Sequence, residues 1–328
     1  MPTYNRASFI AATLDCLVPQ TSDDVEIIIV DGGSTDGTDA VVARYLRHCD
    51  RIRYIRQEAN RGVDRDMDRS VNEAHGDYAW LVSSDDLVSD GAISRVLREL
   101  EREPDLLIVN AEIRSLDMTV RLRERVLPIT DDVDYGVGDR DRFFVEIGRY
   151  LSFMGCVVIR RSLWQERIQE RFFGTEFTSL GVVLWEGVPP RTRAIADPLV
   201  VIRLGNATWA TRMFEISIFK WPAMIWSLPY SDELKRRICP YGGWRELRRL
   251  LYHRALGGFG PSDARHYVER RRIGGLLRVI AGTVSRLPAR VLNLAAILYY
   301  SRRPDGGDTV YLLRTCSAYW RAPRPLPS

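Results

Sequence analysis

Val25-Glu26-Ile27-Ile28-Ile29-Val30-Asp31-Gly32-Gly33-Ser34-Thr35-Asp36-Gly37-Thr38 is an apolar run of strand length that stops abruptly at a carboxylate and two glycines. Tyr78-Ala79-Trp80-Leu81-Val82-Ser83-Ser84-Asp85-Asp86 repeats the pattern fifty residues on. An unbroken β-branched run reads as a strand buried on both faces, the habit of a sheet covered by helices. Carboxylates at the carboxyl ends of such strands stand where open α/β sheets bind ligands. The expectation is that Asp31 and the pair Asp85 and Asp86 line one crevice.

Working outward, Met1 to Thr3 reads as the end of a first strand, three or four residues short of a full one, so either the start is late or that strand is short. Ala7 to Leu17 follows as a helix. Ser34, Thr35 and Asp36 offer oxygens to cap a helix from Thr38. Ile52 to Arg56, Tyr78 to Val82 and Leu106 to Ile113 are further strands. Asp64 to Ala74 is a helix, and so is a stretch capped by Asp90 with Ile93, Val96, Leu97 and Leu100 on one face. This alternation predicts an α/β fold, a doubly wound and mostly parallel sheet flanked by helices. Later the period loosens: strands at Met118 to Val126 and Gly155 to Ile159, helices at Arg140 to Tyr150 and Phe177 to Trp185, and a strand from Ala194 to Arg203 interrupted at Pro198. From Asn206 the pattern is helical, which divides the chain into 1–204 and a basic extension, 205–328.

The 328 residues, 45% hydrophobic, supply an ample core. The net charge of +4 hides an asymmetry, because residues 212–328 hold 21 Lys and Arg against 8 Asp and Glu. Such a tail implies an anionic partner. Trp244, Tyr252, Phe259 and Tyr267 interleave with arginines there, but no nucleic-acid recognition motif appears and the crevice is acidic, so nucleic acid is not expected. Cys16, Cys49, Cys156, Cys239 and Cys316 are scattered singly, which suggests reduced thiols and a cytoplasmic protein. The first residues lack the pattern of a secretory signal. No apolar run reaches the roughly 18 residues that span a bilayer. Ile273 to Tyr300 comes nearest, broken by Pro288, with Arg278, Arg286 and Arg290 in one sector of a helical wheel. It reads either as a helix lying in the interface of an anionic membrane, making the protein peripheral on the cytoplasmic face of the inner membrane, or as a helix packed on the α/β domain.

Four motifs occur in register: Pro2-Thr3-Tyr4-Asn5-Arg6, Val30 to Thr38, Asn60-Arg61-Gly62, and Gly76-Asp77-Tyr78 leading into Asp85-Asp86. Together they resemble the family 2 glycosyltransferases of the GT-A fold. Gly62 to Arg69 and Asn206-Ala207-Thr208-Trp209 resemble its abequosyltransferase-like branch, which decorates bacterial surface polysaccharides. The resemblance covers roughly residues 1 to 210. It implies transfer of a sugar, with inversion, from a nucleoside-diphosphate donor to a lipid-linked or saccharide acceptor. Thr3, Tyr4, Arg6, Asp31 and Gly33 would form the nucleoside pocket, and Asp64 and Arg65 would lie near the diphosphate. Asp86 would ligate a divalent metal, Mg²⁺ or Mn²⁺, with Asp85 facing the ribose or the sugar. Glu176 is the candidate general base.

Each residue also has a plainer reading: Asp31 as a turn residue, Asp85 and Asp86 as a solvated helix cap, Asp64 to Arg69 as a solvated helix face. There are departures too. Ser83 stands where many relatives carry Asp, Phe177 where the base motif has Asp, and Arg203-Leu204-Gly205-Asn206 where relatives often carry His. Ser83 and Phe177 suggest a non-catalytic nucleotide-sugar binder as the alternative. Dehydrogenases would need GxGxxG after the first strand, and it is missing.

Overall fold

Three parallel strands open the structure, a computed structural model that describes residues 1–206, 212–240, 247–270, 275–303 and 306–315. Strands β1 (Pro2–Thr3), β2 (Ile27–Asp31) and β3 (Ile52–Arg56) lie side by side in that order. The register sets Thr3 beside Asp31 and Asp31 beside Arg56, so all three strands end on one edge. β2 is buried at every position, as its Ile and Val run requires. Helices α1 (Ile10–Leu17) and α2 (Thr38–Leu46) make the crossovers, and α3 (Val63–Asn72) leads away from β3.

Next come β4 (Tyr78–Trp80), β5 (Leu87–Val88), α4 (Ala92–Leu100), β6 (Leu106–Arg114), β7 (Arg121–Arg123), β8 (Val133–Tyr135), α5 (Arg140–Ile147), β9 (Val157–Arg160), α6 (Arg161–Glu166), α7 (Thr178–Leu184) and β10 (Thr192–Arg203). They build a second sheet whose central order is β4-β9-β6-β10-β5. β9 pairs antiparallel with β4 and β6, and β10 pairs antiparallel with β5 and β8. The α/β class holds, but the mostly parallel sheet is confined to β1–β3. An apolar run buried on both faces has the same composition in either direction, so the pattern of Leu106 to Ile113 carried no sign of its neighbours' polarity. Pro198 does not interrupt β10, since one missing donor leaves the rest of a long ladder intact.

Gly37 at φ 88° precedes α2, whose first N–H, that of Thr38, donates to Asp36 Oδ1 (3.1 Å), so of the oxygens expected at that end the Asp36 carboxylate is the one that meets the helix. Gly91 at φ 74° precedes α4 in place of the expected Asp90 cap.

The chain divides into two compact units. The first comprises Met1–Ile113, Glu124–Arg203 and Ser227–Ile238, the second Arg114–Arg123, Leu204–Trp226 and Cys239–Ser328. Helices α8 (Met213–Glu215), α9 (Trp221–Ser227) and α10 (Asp232–Ile238) follow β10, then α11 (Leu247–Leu256), α12 (Pro261–Arg270), α13 (Gly275–Arg286), α14 (Ala289–Tyr300) and α15 (Gly307–Thr315). The second unit has its own core of Phe214, Ile218, Leu250, Phe259, Ala264, Ala281 and Val284, in which the Phe214 and Phe259 rings stack at 4.6 Å. His253 is buried there beside the Ser217 hydroxyl, 3.0 Å away, and burial pushes its imidazole down to about 4. Asn293, fully buried on α14, donates to the carbonyls of Ala255 and Leu313, both at 3.0 Å.

Pro288 splits the Ile273 to Tyr300 segment into α13 and α14. Among the described residues no helix is long and apolar enough to cross a membrane. Ala207-Thr208-Trp209, Trp244, Ile273, Cys316 and the Pro-rich end from Arg321 lie outside the described residues.

Candidate active site

The first two motifs are laced together at the carboxyl end of the parallel strands. Asn5 N donates to Ser34 Oγ (2.8 Å), Arg6 N to Thr38 Oγ1 (2.9 Å) and Ala7 N to Asp36 Oδ2 (2.9 Å), while Asn5 Oδ1 accepts from Thr35 N (2.9 Å). Ser34 Oγ and Asp36 Oδ2 therefore hold the loop after β1, while Asp36 Oδ1 meets Thr38 N (3.1 Å) at the start of α2. Thr3 is buried, and its Oγ1 has no hydrogen-bond partner among the described residues. Tyr4, 40% exposed, stands at the surface.

Asp31 is fully buried and turned into the protein. Its Oδ1 accepts from Ser34 N (2.8 Å) and Ser34 Oγ (2.7 Å), and its Oδ2 accepts from the Tyr54 hydroxyl. Burial and this carboxylate together push the Tyr54 phenol upward. Asp31 thus organises the turn that Gly32 and Gly33 make. Gly33 needs its φ of 79°, and a Cβ at Gly32 would come within 2.8 Å of Asp66 Oδ2. Asp66 is a residue that the sequence reading passed over. It lies buried on α3 and accepts from Gln57 Nε2, with its carboxyl pushed up by desolvation.

The twin acids are not a solvated turn, since both are buried. Asp85 Oδ2 pairs with Arg6 at 3.1 Å, and Oδ1 accepts from the Ser83 hydroxyl. The first motif therefore reaches the fourth across the crevice. Asp86 Oδ1 accepts from Arg203 N (2.8 Å), its carbonyl accepts from Thr13 Oγ1 (2.7 Å), and Arg203 Nε donates to the Asp85 carbonyl (3.0 Å). β5 pairs with β10 directly after the acids, Leu87 opposite Val201, which is what delivers Arg203. That pairing across more than a hundred residues left no local signal. Burial, then the charge of Asp85, raise the Asp86 carboxyl well above the ordinary range, against Arg203 and Arg6. Two crowded carboxylates of this kind are relieved by a cation. All donors are oxygens, which suits a hard divalent ion. Among the described residues no group of three or more His, Cys, Asp or Glu could hold a metal. The fit is therefore to an ion taking one or two protein oxygens and completing its shell with phosphate and water.

Asp64 does not face outward either. Its buried carboxylate accepts from the backbone N–H groups of Gly174 (2.8 Å), Glu176 (2.8 Å) and Thr178 (3.3 Å), and so binds the start of α7 to α3. Desolvation raises its carboxyl. Glu176 sits in this loop at φ 72°, a left-handed conformation that a non-glycine residue holds only when its surroundings impose it. Phe177 beside it is buried. Arg65 is exposed, its guanidinium 4.7 Å over the Phe173 ring. Buried Asp64 and Asp66 overturn the solvated-face reading of α3. Their spacing from Met67, Ser70 and Val71 was the available clue, since positions three, four and seven apart share a helix face.

Residues 1–163 match the family model described as glycosyl transferase family 2. The chain belongs to that family. This glycosyltransferase is similar to the abequosyltransferase RfbV of Salmonella typhimurium, 26% identical over 63% of the chain and 66% of the relative. It is also similar to the GalNAc(5)-diNAcBac-PP-undecaprenol beta-1,3-glucosyltransferase of Campylobacter jejuni, 28% identical over 54% of the chain and 56% of the relative. The matches thus span less than two thirds of those relatives' own lengths. Among solved structures it resembles the mannosyltransferase PcManGT of Pyrobaculum calidifontis in complex with GDP-Man and Mn²⁺, with a TM-score of 0.53 and 17% identity over 95% of this chain and 82% of that one. That likeness shows the fold, which is GT-A.

Proposed function

We propose that the enzyme moves a hexosyl or deoxyhexosyl group from a nucleoside-diphosphate donor to a lipid-linked or polysaccharide acceptor in cell-surface polysaccharide synthesis, inverting the anomeric centre. The observation that carries this reading is the junction of the first and fourth motifs through Arg6 and Asp85 at 3.1 Å, on the edge where the parallel strands end. Thr3, with its orphan hydroxyl, Tyr4 and the Gly32-Gly33 turn border the nucleoside pocket, and Asp31 shapes it from behind. Asp86, with Asp85, would hold a divalent ion, whose charge would offset that developing on the diphosphate leaving group.

Glu176 takes the acceptor hydroxyl's proton as general base, and Asp64 positions it through the three loop N–H groups. A lipid-linked acceptor would require the protein to work at an anionic membrane surface, as a peripheral protein. Ser83, a hydroxyl against Asp85 where many relatives carry a carboxylate, and buried Phe177 favour the second reading, a binder without turnover.

A thermal-shift screen of UDP, GDP, CDP and dTDP sugars with and without Mn²⁺ tests the donor site. Stabilisation by one class only when metal is present supports the reading. Transfer that Asp86→Ala leaves intact without metal would sink it. Glu176→Gln should lower kcat by about 10² to 10⁴ with donor binding kept, the usual contribution of a general base. Binding with no turnover on any acceptor would favour the second reading.

A further inference from the structure

Helix α14 is apolar on the side that meets solvent. Val291 is 63% exposed, Leu294 56% and Leu298 55%, and Ala295 is exposed between them. These positions share one helix face, opposite the side on which Asn293 is buried. An apolar helix ordinarily hides such a stripe. α13 adds exposed Leu276 and Val279.

Along α13 and α14 the charge has one sign. Residues 275–303 contain five arginines (Arg278, Arg286, Arg290, Arg302 and Arg303) and no Asp or Glu. Arg290 is exposed at one end of α14, with Arg302 and Arg303 at the other. Tyr299, 44% exposed, has the Arg303 guanidinium 4.6 Å and that of Arg248 5.2 Å above its ring. Leucine and valine flanked by Arg and Tyr, with no carboxylate, match the layering of a bilayer edge, where apolar groups enter the acyl boundary and arginines meet lipid phosphates.

We infer that the exposed face of α14 lies in the interface of an anionic lipid bilayer, seated by Val291, Leu294 and Leu298 and held by Arg290, Arg302 and Arg303. This deepens the lipid-linked side of the proposed function but stands on the second unit alone.

Flotation of the full chain tests it, with vesicles of phosphatidylcholine alone and of phosphatidylcholine with 30 mol% phosphatidylglycerol. Binding to the anionic vesicles, weakened at 0.5 M NaCl and lowered at least tenfold by Leu294→Ser with Leu298→Ser, is the expected result. Both side chains are already half in water, so the variant should fold, and an unchanged Tm checks this. Arg290→Ser with Arg302→Ser, which leaves the apolar stripe intact, should also weaken binding. Absence of flotation by the unsubstituted protein, or equal flotation of the Leu variant, overturns the inference. So does a dimer in sedimentation equilibrium that the Leu variant dissolves while flotation is unaffected, which would make a second copy the occupant. Donor binding by thermal shift reports the active-site reading separately, because a protein that binds nucleotide-sugars yet ignores vesicles fails only here.

Discussion

Desolvation raises both Asp86 and Asp64 at the candidate site, but their neighbours differ, and single substitutions should separate them. Asp86 is crowded by Asp85 and stripped of water, so its folded pKa is raised and its charged form is a penalty at neutral pH. A raised pKa contributes stability at low pH that is lost as pH rises. Asp86→Asn keeps an oxygen for the Arg203 N–H and drops the charge, so the ligand-free variant should melt above the unsubstituted protein at pH 7.5 while losing transfer. Differential scanning fluorimetry with an activity assay checks both halves. Asp64 is satisfied by three backbone donors. Asp64→Ala strands those donors and should cost about 2 kcal/mol in denaturant unfolding. Hydrogen exchange should rise over residues 173–178, locating the loss in the loop that carries Glu176.

Among elements, the parallel strands were legible because Ile27 to Val30 is an apolar run cut off by an acid, a pattern few other structures explain. The turn after it was legible in kind, since Gly33 at φ 79° leaves a Cβ only 3.1 Å from the Gln57 carbonyl. Gly33→Ala should therefore lower stability by about 1–2 kcal/mol in urea unfolding. Side-chain aim was not legible. Asp31 faces inward because Tyr54 and Ser34 supply its donors, and Tyr54 arrives from another strand. Arg203 reaches the twin acids through an antiparallel pairing that leaves no local trace. Ser34 carries the composition of a helix cap, yet its hydroxyl meets Asn5 N and Asp31, whereas Asp36 divides its oxygens between Thr38 N at the start of α2 and Ala7 N in the loop after β1. Local chemistry announced that polar groups gather at strand ends, and tertiary contacts decided which of them point at a ligand.

For the whole molecule, the two units should respond differently to acid. His253 in the second unit has a folded pKa of about 4, below its ordinary 6.5, so the unfolded chain binds more protons between those values. That contribution is complete above pH 6.5 and drains away as the pH falls toward 4. Circular dichroism melts of the full chain from pH 7 to pH 4 should show a declining Tm, and His253→Gln should flatten the slope. The same unit holds the amide of Asn293, whose two carbonyl partners sit on α11 and α15. With both hydrogens committed, α14 is indexed like a key in its lock and cannot roll about its long axis. One buried amide thereby chooses which residues the helix displays, and Asn293→Leu would release that choice without altering a single displayed side chain.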